Sequence, residues 1–350
     1  MSFLSIIQAR DAVKKFWGDL RPCEKGLLPL GFDHALYSPT IQESVSMPRV
    51  VSLIPSATEL VCALGAQADL VGRSHECDYP PNVNHLPVCT SPKFDPQGSS
   101  QEIDTRVKDL LREAVSVYRI EAQQLRDLHP DCILTQAQCE VCAVSLAEVE
   151  TLVEGWSGTR PSIVSLSPNR LSDVWNDIRR VAQALGRVQV GEELIAHYQQ
   201  CVKTISSQTE RIAPRPTVGC IEWLDPLMAS ANWMPELIEY AGGQNVFGQT
   251  GEHAPWITWE SVQQEDPDVL LLLPCGFSIS RTRKETHLLT DRPGWKDLKS
   301  VRQGQVFLTD GNQYFNRPGS RLVDSVEVLA EIFHPNMFAF GYEGRGWERL

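Results

Sequence analysis

The sequence predicts an α/β protein with two doubly wound lobes, each built on a parallel sheet, joined by a long backbone helix. Its 350 residues exceed what one compact core usually holds, which predicts two lobes of roughly 130 to 170 residues. Short apolar runs alternate with amphipathic helical segments from position 49 onward. One later stretch keeps helical periodicity over about 40 residues without any strand.

The first predicted lobe opens with RVVSLIPSATELVCALG at 49–65, which indicates a short β-branched strand, a turn and a helix. Ser56 and Glu59 have the spacing of a capping box at the start of that helix. Further apolar runs predict more strands, and most are continuously apolar, as is typical of parallel sheets covered on both faces. These runs lie at 69–72, 131–135, 162–166, 217–223, 268–273 and 305–310.

Helical segments separate the predicted strands, for example over 101–117 and 321–333. The strand-free stretch 171–213 predicts the connecting helix, which would span roughly 60 Å at 1.5 Å per residue. Gly186 and Gly191 are expected to bend this helix without ending it. The predicted domains are an N-terminal extension (1–48), a first lobe (49–170), the connector (171–213) and a second lobe (214–340).

Charge and the N-terminal sequence bear on partners and location. Thirty-two Lys and Arg against 44 Asp and Glu give a net charge of −12, which disfavours nucleic acid as a partner. The first residues lack the pattern of a secretory signal, and no apolar run is long enough to insert into a membrane. A cytoplasmic protein is therefore expected. Because thiols stay reduced there, the ten cysteines are expected to be core residues, ligands or nucleophiles rather than disulfides.

Several phrases resemble the helical-backbone class of ABC-transporter substrate-binding proteins, which bind vitamin B12, siderophores or transition metals. RVVSLIPSATELVCALG, PDCILTQ and DRPGWKDLKSVRQGQVFLTDG are similar to the strands and helices of that class over roughly 49–335. SHECDYP, CEVCAVS, EWLDP, PCGF and DGNQYFNRPGSRLVD resemble its cobalamin-binding branch. The resemblance implies a small-molecule ligand held between the lobes, with cobalamin as the candidate. An ABC permease as partner is in doubt, because members that serve importers carry export or lipid-anchor signals.

Ligands of doubly wound sheets sit beyond the carboxyl ends of the strands, so the residues that follow each apolar run are candidates for the cleft. Loop aromatics there would form a flat wall suited to a macrocycle, with polar side chains to meet its amide or phosphate groups. Ser56 could instead cap its helix, and the tryptophans could instead pack the lobes together. The predicted ligand-binding residues are Ser56, Thr58, Tyr79, Gln136, Glu222, Trp223, Asn232, Trp233, Trp256, Asn312, Tyr314, Phe315 and Arg317.

A candidate metal site combines residues that follow two strands of the first lobe. His75 and Cys77 are two apart in SHECD, and Cys139 and Cys142 form a Cys-x-x-C pair. If these four side chains converge, they form a tetrahedral set suited to zinc, iron or another thiophilic metal. A thiol–disulfide couple and simple packing are the alternatives.

The enzyme motifs that we searched for do not occur in the sequence. It has no Walker loop, nucleophile elbow, His-Glu-x-x-His or dinucleotide fingerprint. The zinc deaminase pattern fails, because His75 and Glu76 are adjacent and Gln138 precedes the Cys pair. The main hypothesis is non-enzymatic binding of a cobalamin-like corrinoid or other metal-containing ligand in a largely preformed cleft. The alternative is a metal- or cluster-dependent enzyme or redox protein, with Glu76 or Glu140 as a general base.

Overall fold

The computed structural model describes residues 47–112, 116–137 and 144–350. The predicted N-terminal extension lies outside this part up to position 46. Numbered along the chain, the strands are β1 (Val50–Ser52), β2 (Leu70–Arg73), β3 (Thr90–Pro92), β4 (Tyr118–Ile120), β5 (Cys132–Gln136), β6 (Ser162–Leu166), β7 (Thr217–Trp223), β8 (Met228–Ala229), β9 (Gln244–Asn245), β10 (Val269–Leu272), β11 (Val306–Thr309) and β12 (Trp347–Arg349).

The helices cover the sheets and link the lobes. They are α1 (Pro55–Ala63), α2 (Ser100–Arg112), α3 (Ala122–Asp127), α4 (Leu146–Glu154), α5 (Leu171–Ala184), α6 (Val188–Thr209), α7 (Met234–Tyr240), α8 (Trp259–Glu265), α9 (Ile279–Glu285), α10 (His287–Thr290), α11 (Lys299–Arg302) and α12 (Leu322–Phe333). Gly311–Phe315 form a π-helical turn after β11. Within the described ranges, no helix combines the length and the apolar composition that crossing a bilayer requires.

Two separate sheets confirm the predicted α/β class with two lobes. The first sheet is wholly parallel, in the order β2-β1-β5-β6. The second runs β12-β11-β10-β7-β8, with β9 beside β7, and its β7, β9, β10 and β11 are parallel. β1, β5, β10 and β11 are buried along their whole length, as their continuously apolar sequences predict for strands covered on both faces.

The connector differs from the prediction, because it consists of two helices rather than one. Gly186 has a φ of +65°, a conformation that glycine adopts at little cost, and it separates α5 from α6. The two helices pack closely: a Cβ on Gly191 would lie 2.6 Å from the Cβ of Ala182. Only α6, with 22 residues, acts as a long connecting element, and its length is about 33 Å rather than 60 Å.

One apolar core extends through both lobes. Buried side chains form a continuous cluster that includes Val50 of β1, Ile195 and Val202 of α6, and Leu271 of β10. The domain boundaries at 170 and 214 stay predictions: each lobe has a smaller apolar cluster of its own, around Ile133 and Leu270 respectively, beside the continuous cluster that both share. The cluster does explain why the lobes keep one relative arrangement, because separating them would expose apolar surface to water.

A buried carboxyl group on α5 predicts a pH-dependent stability. Asp177 is 1% exposed, and its nearest cation, Arg180, is 3.5 Å away. Burial raises the pKa of Asp177 to about 7, and the charge of Arg180 offsets only part of that effect. A raised pKa means that the folded state binds a proton more tightly than the unfolded state. The stabilisation that comes from protonating Asp177 is therefore complete below about pH 4 and is lost as the pH rises through about 7.

We accordingly expect Asp177→Asn to raise the free energy of unfolding at pH 8 by roughly 1–3 kcal/mol. At pH 4 the substitution should change it little, because the native carboxyl group is then already neutral in the folded state. Urea unfolding at the two pH values measures both quantities. Asp173→Asn, on the same helix, is the control for removing a charge from α5. An equal effect of Asp177→Asn at both pH values would contradict the expectation.

Candidate ligand-binding cleft

Residues that follow the strands of the two sheets meet across the interface between the lobes. Asp78 follows β2 in the first lobe, and Arg317 follows β11 in the second. Arg317 Nη1 lies 2.5 Å from Asp78 Oδ1, so the carboxyl ends of the two sheets approach one another. This is the place where doubly wound proteins bind ligands.

A charge cluster joins the lobes at this point, and we call Glu59, Asp78, Arg317 and Arg321 the lobe bridge; Asp78 is its exposed member. Arg321 donates to both carboxylate oxygens of Glu59, over 3.0 and 2.6 Å. Arg317 Nη1 is 3.4 Å from Glu59 Oε1. Glu59 is only 2% exposed, and both arginines are buried. Two cations held in this bidentate geometry compensate the buried carboxylate that α1 contributes.

Electrostatics at the bridge favour the charged forms. Burial by itself would raise the pKa of Asp78, but the hydrogen bonds and charge of Arg317 lower it below the usual value. Burial would lower the pKa of Arg317, yet Asp78 and Glu59 raise it. Both groups therefore remain ionised at neutral pH, and the lobes are held together by an ion pair.

The bridge corrects one prediction about α1. Ser56 makes no capping bond, since the helix begins at Pro55 after an extended Ile54. Glu59, the other half of the expected capping box, bonds Arg321 of the second lobe instead. The spacing of Ser56 and Glu59 was misleading, because the Glu59 carboxylate pairs with an arginine that is distant in sequence instead of capping α1.

Three of the predicted ligand residues belong to the surroundings of the bridge. Asn312 donates to Asp78 Oδ2 over 3.2 Å and accepts from Arg317 over 2.8 Å. The ring of Tyr79 lies 4.1 Å from the guanidinium of Arg321, a cation–π contact between the lobes. In this structure Arg317, Asn312 and Tyr79 thus hold the lobes together.

Three predicted aromatics lie in the core. Trp233, Tyr314 and Phe315 are buried, and the indole N–H of Trp233 donates to the carbonyl of Phe315 over 2.9 Å. The ring of Tyr314 packs edge-on against Tyr342. Their side chains therefore stabilise the second lobe, and the sequence alone did not distinguish them from cleft aromatics.

Polar residues predicted at the first lobe's strand ends are also buried. Ser56, Thr58 and Gln136 are each inaccessible or nearly so. The backbone of Gly319 lies against Ser56, where a Cβ would be 3.3 Å from the Ser56 carbonyl oxygen. The start of α1 is thus covered by the second lobe in the described structure.

The predicted metal ligands do not form a set within the described ranges. Thr58 Oγ1 donates to the Sγ of Cys77 over 3.0 Å, and Cys77 is 1% exposed. Burial raises the pKa of Cys77 to about 12, so it is a neutral thiol rather than a thiolate. Among the described residues no three His, Cys, Asp or Glu side chains group as metal ligands. Cys139 and Cys142, with Glu140, lie outside those residues, so the four-ligand site stays a prediction.

His75 follows β2 of the first lobe. Its Nδ1 is 2.7 Å from Thr90 Oγ1, and Thr90 Oγ1 is 3.1 Å from Ser74 Oγ. In the tautomer in which Nδ1 donates to Thr90, the lone pair lies on Nε2. Burial and the nearby charge of Arg73 lower the pKa of His75, which keeps the ring neutral at pH 7. The imidazole can accept a hydrogen bond or bind a metal through Nε2.

Aromatic side chains of the second lobe form a wall at the end of β7. Trp223 packs edge-to-face on Phe277, with ring centroids 5.3 Å apart. The indole N–H of Trp223 is buried and has no partner among the described residues. Trp256, which pairs with Met228 of β8, is 55% exposed. We call Trp223, Trp256 and Phe277 the aromatic wall; Trp256 is its exposed member, whereas Phe277 is only 2% exposed.

Two other predicted residues lie near this wall. Glu222 precedes Trp223 in β7, and its carbonyl accepts from the amide of Cys275 over 3.1 Å. Asn232 has a φ of +53°, and its amide nitrogen lies 3.4 Å from Asn169 Oδ1 of the first lobe. Asn232 thus adds a second polar contact between the lobes.

Several residues that make contacts across this interface were not predicted from the sequence. Glu59, Asp78 and Arg321 complete the bridge, and Arg281 and Glu285 of α9 contact the first lobe. A signal existed for two of them. Glu59 is an isolated charge within an apolar helix, and Arg321 follows Arg317 closely in the sequence, although both precede α12, which begins at Leu322.

Comparison with known proteins identifies the family and supports the fold. The sequence profile described as "Periplasmic binding protein" matches residues 50–313. A vitamin B12-binding protein of Vibrio parahaemolyticus is 23% identical over 317 residues, which are 85% of this chain and 95% of that protein. An uncharacterized ABC transporter substrate-binding lipoprotein, YvrC of Bacillus subtilis, is 22% identical, covering 83% and 81%.

Solved structures agree with these relatives. The periplasmic vitamin B12 binding protein BtuF of Vibrio cholerae superposes with a TM-score of 0.58 at 20% identity, covering 83% of this chain and 98% of that one. The periplasmic heme-binding protein RhuT from Roseiflexus gives 0.61 at 23% identity, covering 83% and 99%. The resemblance to helical-backbone binding proteins noted in the sequence is confirmed.

These relatives overturn the expected cytoplasmic location. The family and the solved relatives are described as periplasmic, and the Bacillus relative as a lipoprotein. The expectation rested on the first residues of the chain, which lie outside the described ranges. It was wrong because the location was inferred from the pattern of those residues, whereas the relatives belong to a class of periplasmic proteins and lipoproteins.

Proposed function

The chain belongs to the periplasmic binding protein family, and on that premise we propose that it binds a flat, metal-containing macrocycle of the corrinoid or heme type between its lobes. The aromatic wall carries the proposal. Its tryptophans offer faces on which a macrocycle can stack, and burying apolar ligand surface there supplies the main driving force. The names of the relatives, vitamin B12-binding and heme-binding proteins, support the same ligand class.

Polar groups around the wall would orient the ligand. The indole N–H of Trp223 has no partner among the described residues but is buried, so it would donate to an amide or carboxylate of the macrocycle only once the side chains that cover it move. Nε2 of His75 can accept a hydrogen bond or bind the central metal from the opposite lobe. Few convergent polar groups in an apolar cleft are the usual basis of ligand specificity.

Transport is the proposed purpose of binding. The Bacillus relative is named as an ABC transporter substrate-binding lipoprotein, which supports an ABC permease as the partner that receives the ligand. Such a role needs reversible binding and no chemical step. The alternative of a metal enzyme gains no support from the described residues, where Cys77 is a buried neutral thiol and the carboxylates of Glu59 and Asp78 are paired with arginine.

Titration of the purified protein tests the proposal. Cyanocobalamin, dicyanocobinamide, hemin and a ferric hydroxamate siderophore are added in turn, and binding is followed by calorimetry and by the absorption bands of the ligand. We expect one of the macrocycles to bind with 1:1 stoichiometry and a micromolar or tighter Kd. Binding of the siderophore alone, or of none of the four, would contradict the proposed ligand class.

Trp256→Ala should weaken binding of that macrocycle roughly tenfold, which corresponds to about 1.4 kcal/mol. Because Trp256 is largely exposed, the same change should leave the free energy of unfolding almost unaltered. Met337→Ala is the matched control, since Met337 is equally exposed but follows the far end of α12. Equal affinities of the two variants would remove Trp256 from the site.

A further inference from the structure

The first lobe sends one segment across to the second lobe, and we call residues 93–112 the strap. It leaves the first lobe after β3 and contains α2, while β3 pairs with β4 beyond it. This two-stranded ladder is separate from the main sheet of its lobe. The strap is therefore an excursion from the lobe rather than a part of its central layers.

The strap is fastened to α9 of the second lobe at one end. The Ser100 amide donates to Glu285 Oε2 over 2.8 Å, and both residues are buried. Arg281 Nη2 donates to the carbonyl of Gly98 over 3.1 Å. A carboxylate that accepts from the first amide of a helix also interacts favourably with the helix dipole.

A second fastening lies eight residues further along α2. Lys108 Nζ sits over the ring of Trp256, 4.8 Å from its centroid. The two contacts are eight residues apart on α2, a distance of about 12 Å along the helix. Two strand spacings in a sheet measure roughly 10 Å, so α2 is long enough to cross two strands of the second sheet. β10, which leads into α9, and β8, which pairs with Trp256, are two strands apart, with β7 between them.

Both fastenings engage the aromatic wall. The guanidinium of Arg281 lies 3.9 Å from the ring of Phe277, which in turn packs on Trp223. Lys108 occupies a face of Trp256, the most exposed ring of the wall. A macrocycle stacked on that face would have to displace Lys108.

The strap has few apolar anchors to its own lobe. In α2 only Ser100 is buried, and the partly buried side chains of the strap that pack on the first lobe's core are Phe94, Val107 and Leu110. A segment with so few buried apolar contacts opens at a lower free energy than the rest of the fold. The polar contacts to the second lobe thus contribute a large share of what holds the strap in place.

We propose that the strap is a latched cover of the cleft, held shut by Glu285 and Lys108 and released when a flat ligand takes over the face of Trp256. The ligand part of this inference rests on the proposed function, whereas the latch is a property of the protein without ligand. When the strap is released, one cation–π contact and two charge-assisted hydrogen bonds are lost, and the macrocycle stacked on Trp256 replaces them.

Hydrogen exchange on the ligand-free protein tests the latch. We expect Glu285→Gln combined with Lys108→Ala to speed exchange of the amides at 100–112 at least tenfold, with unchanged rates in β1, β5, β10 and β11. Arg112→Ala is the matched control, because it removes a cation of the same helix that pairs with Asp109 within the strap. Unchanged exchange in the strap, or an equal rise in the four strands, would overturn the latch.

Stopped-flow association tests the cover. With whichever macrocycle binds the native protein, the double variant should associate at least threefold faster than native and than Arg112→Ala. Faster strap exchange without faster association would overturn the gating role. If no macrocycle binds the native protein, the proposed function fails and the cover role fails with it, while the exchange data still decide whether the strap is latched.

Discussion

Glu59→Ala is expected to lower the free energy of unfolding by about 3–5 kcal/mol. The substitution leaves two buried guanidinium groups, those of Arg317 and Arg321, without the carboxylate that compensates them. Urea denaturation at neutral pH measures the change. Glu192→Ala is the matched control: its ion pair with Arg179 is half exposed, and such pairs contribute only about 0–1 kcal/mol.

A second variant tests the same charge effect even if Glu59→Ala does not fold. Glu59→Leu combined with Arg321→Leu removes the carboxylate together with the arginine that bonds both of its oxygens. Replacing a buried ion pair by apolar side chains is often nearly neutral, so this protein should recover most of the loss. A double variant as unstable as Glu59→Ala would show that the cost comes from lost packing rather than from an uncompensated charge.

Arg317→Met is expected to loosen the contact between the lobes and to lower the free energy of unfolding by roughly 2–4 kcal/mol. Arg317 bonds Asp78 and the Glu76 carbonyl across the interface and Asn312 within its own lobe. The specific readout is faster hydrogen exchange at 74–79 and 311–317, together with weaker ligand binding. Met retains most of the apolar stem, so the loss reports the guanidinium group.

Arg283→Met serves as the control for this variant. Arg283 is paired with Glu348 at a half-exposed position within the second lobe, so its replacement should change stability by less than about 1 kcal/mol. Similar exchange rates at 74–79 in the two variants would mean that Arg317 does not couple the lobes. The lobes would then be linked mainly by the shared apolar core and by the Glu59–Arg321 ion pair.

Features carried by local sequence were predictable. The apolar runs at 131–135 and 268–273 became buried parallel strands, because a strand covered on both faces needs apolar residues at every position. The class of protein followed from phrases such as RVVSLIPSATELVCALG, and the family profile confirms it. The division of the connector was not predicted, since helical periodicity continues through Gly186 and only its φ of +65° ends α5.

Features that depend on distant contacts were harder to predict. Trp233 and Trp256 look alike in sequence, yet one donates to a buried carbonyl and the other is largely exposed. Glu59 was interpreted as a cap because a sequence does not show that Arg321 lies beside it. Asn312 and Arg317 were predicted as ligand-binding residues from their position after a strand, and that role stays a prediction; their bonding to Asp78 at the lobe interface was not foreseen.

The antiparallel strand β12 has a consequence for how the protein avoids aggregation. It pairs with β11 and covers an edge that would otherwise present unpaired backbone groups. Tyr342, whose hydroxyl donates to Glu327 over 2.8 Å, fixes the segment that leads into it. During synthesis β11 emerges about 40 residues before β12. The backbone groups on the outer edge of β11 therefore stay unpaired, and prone to aggregation, until almost the whole second lobe has been made.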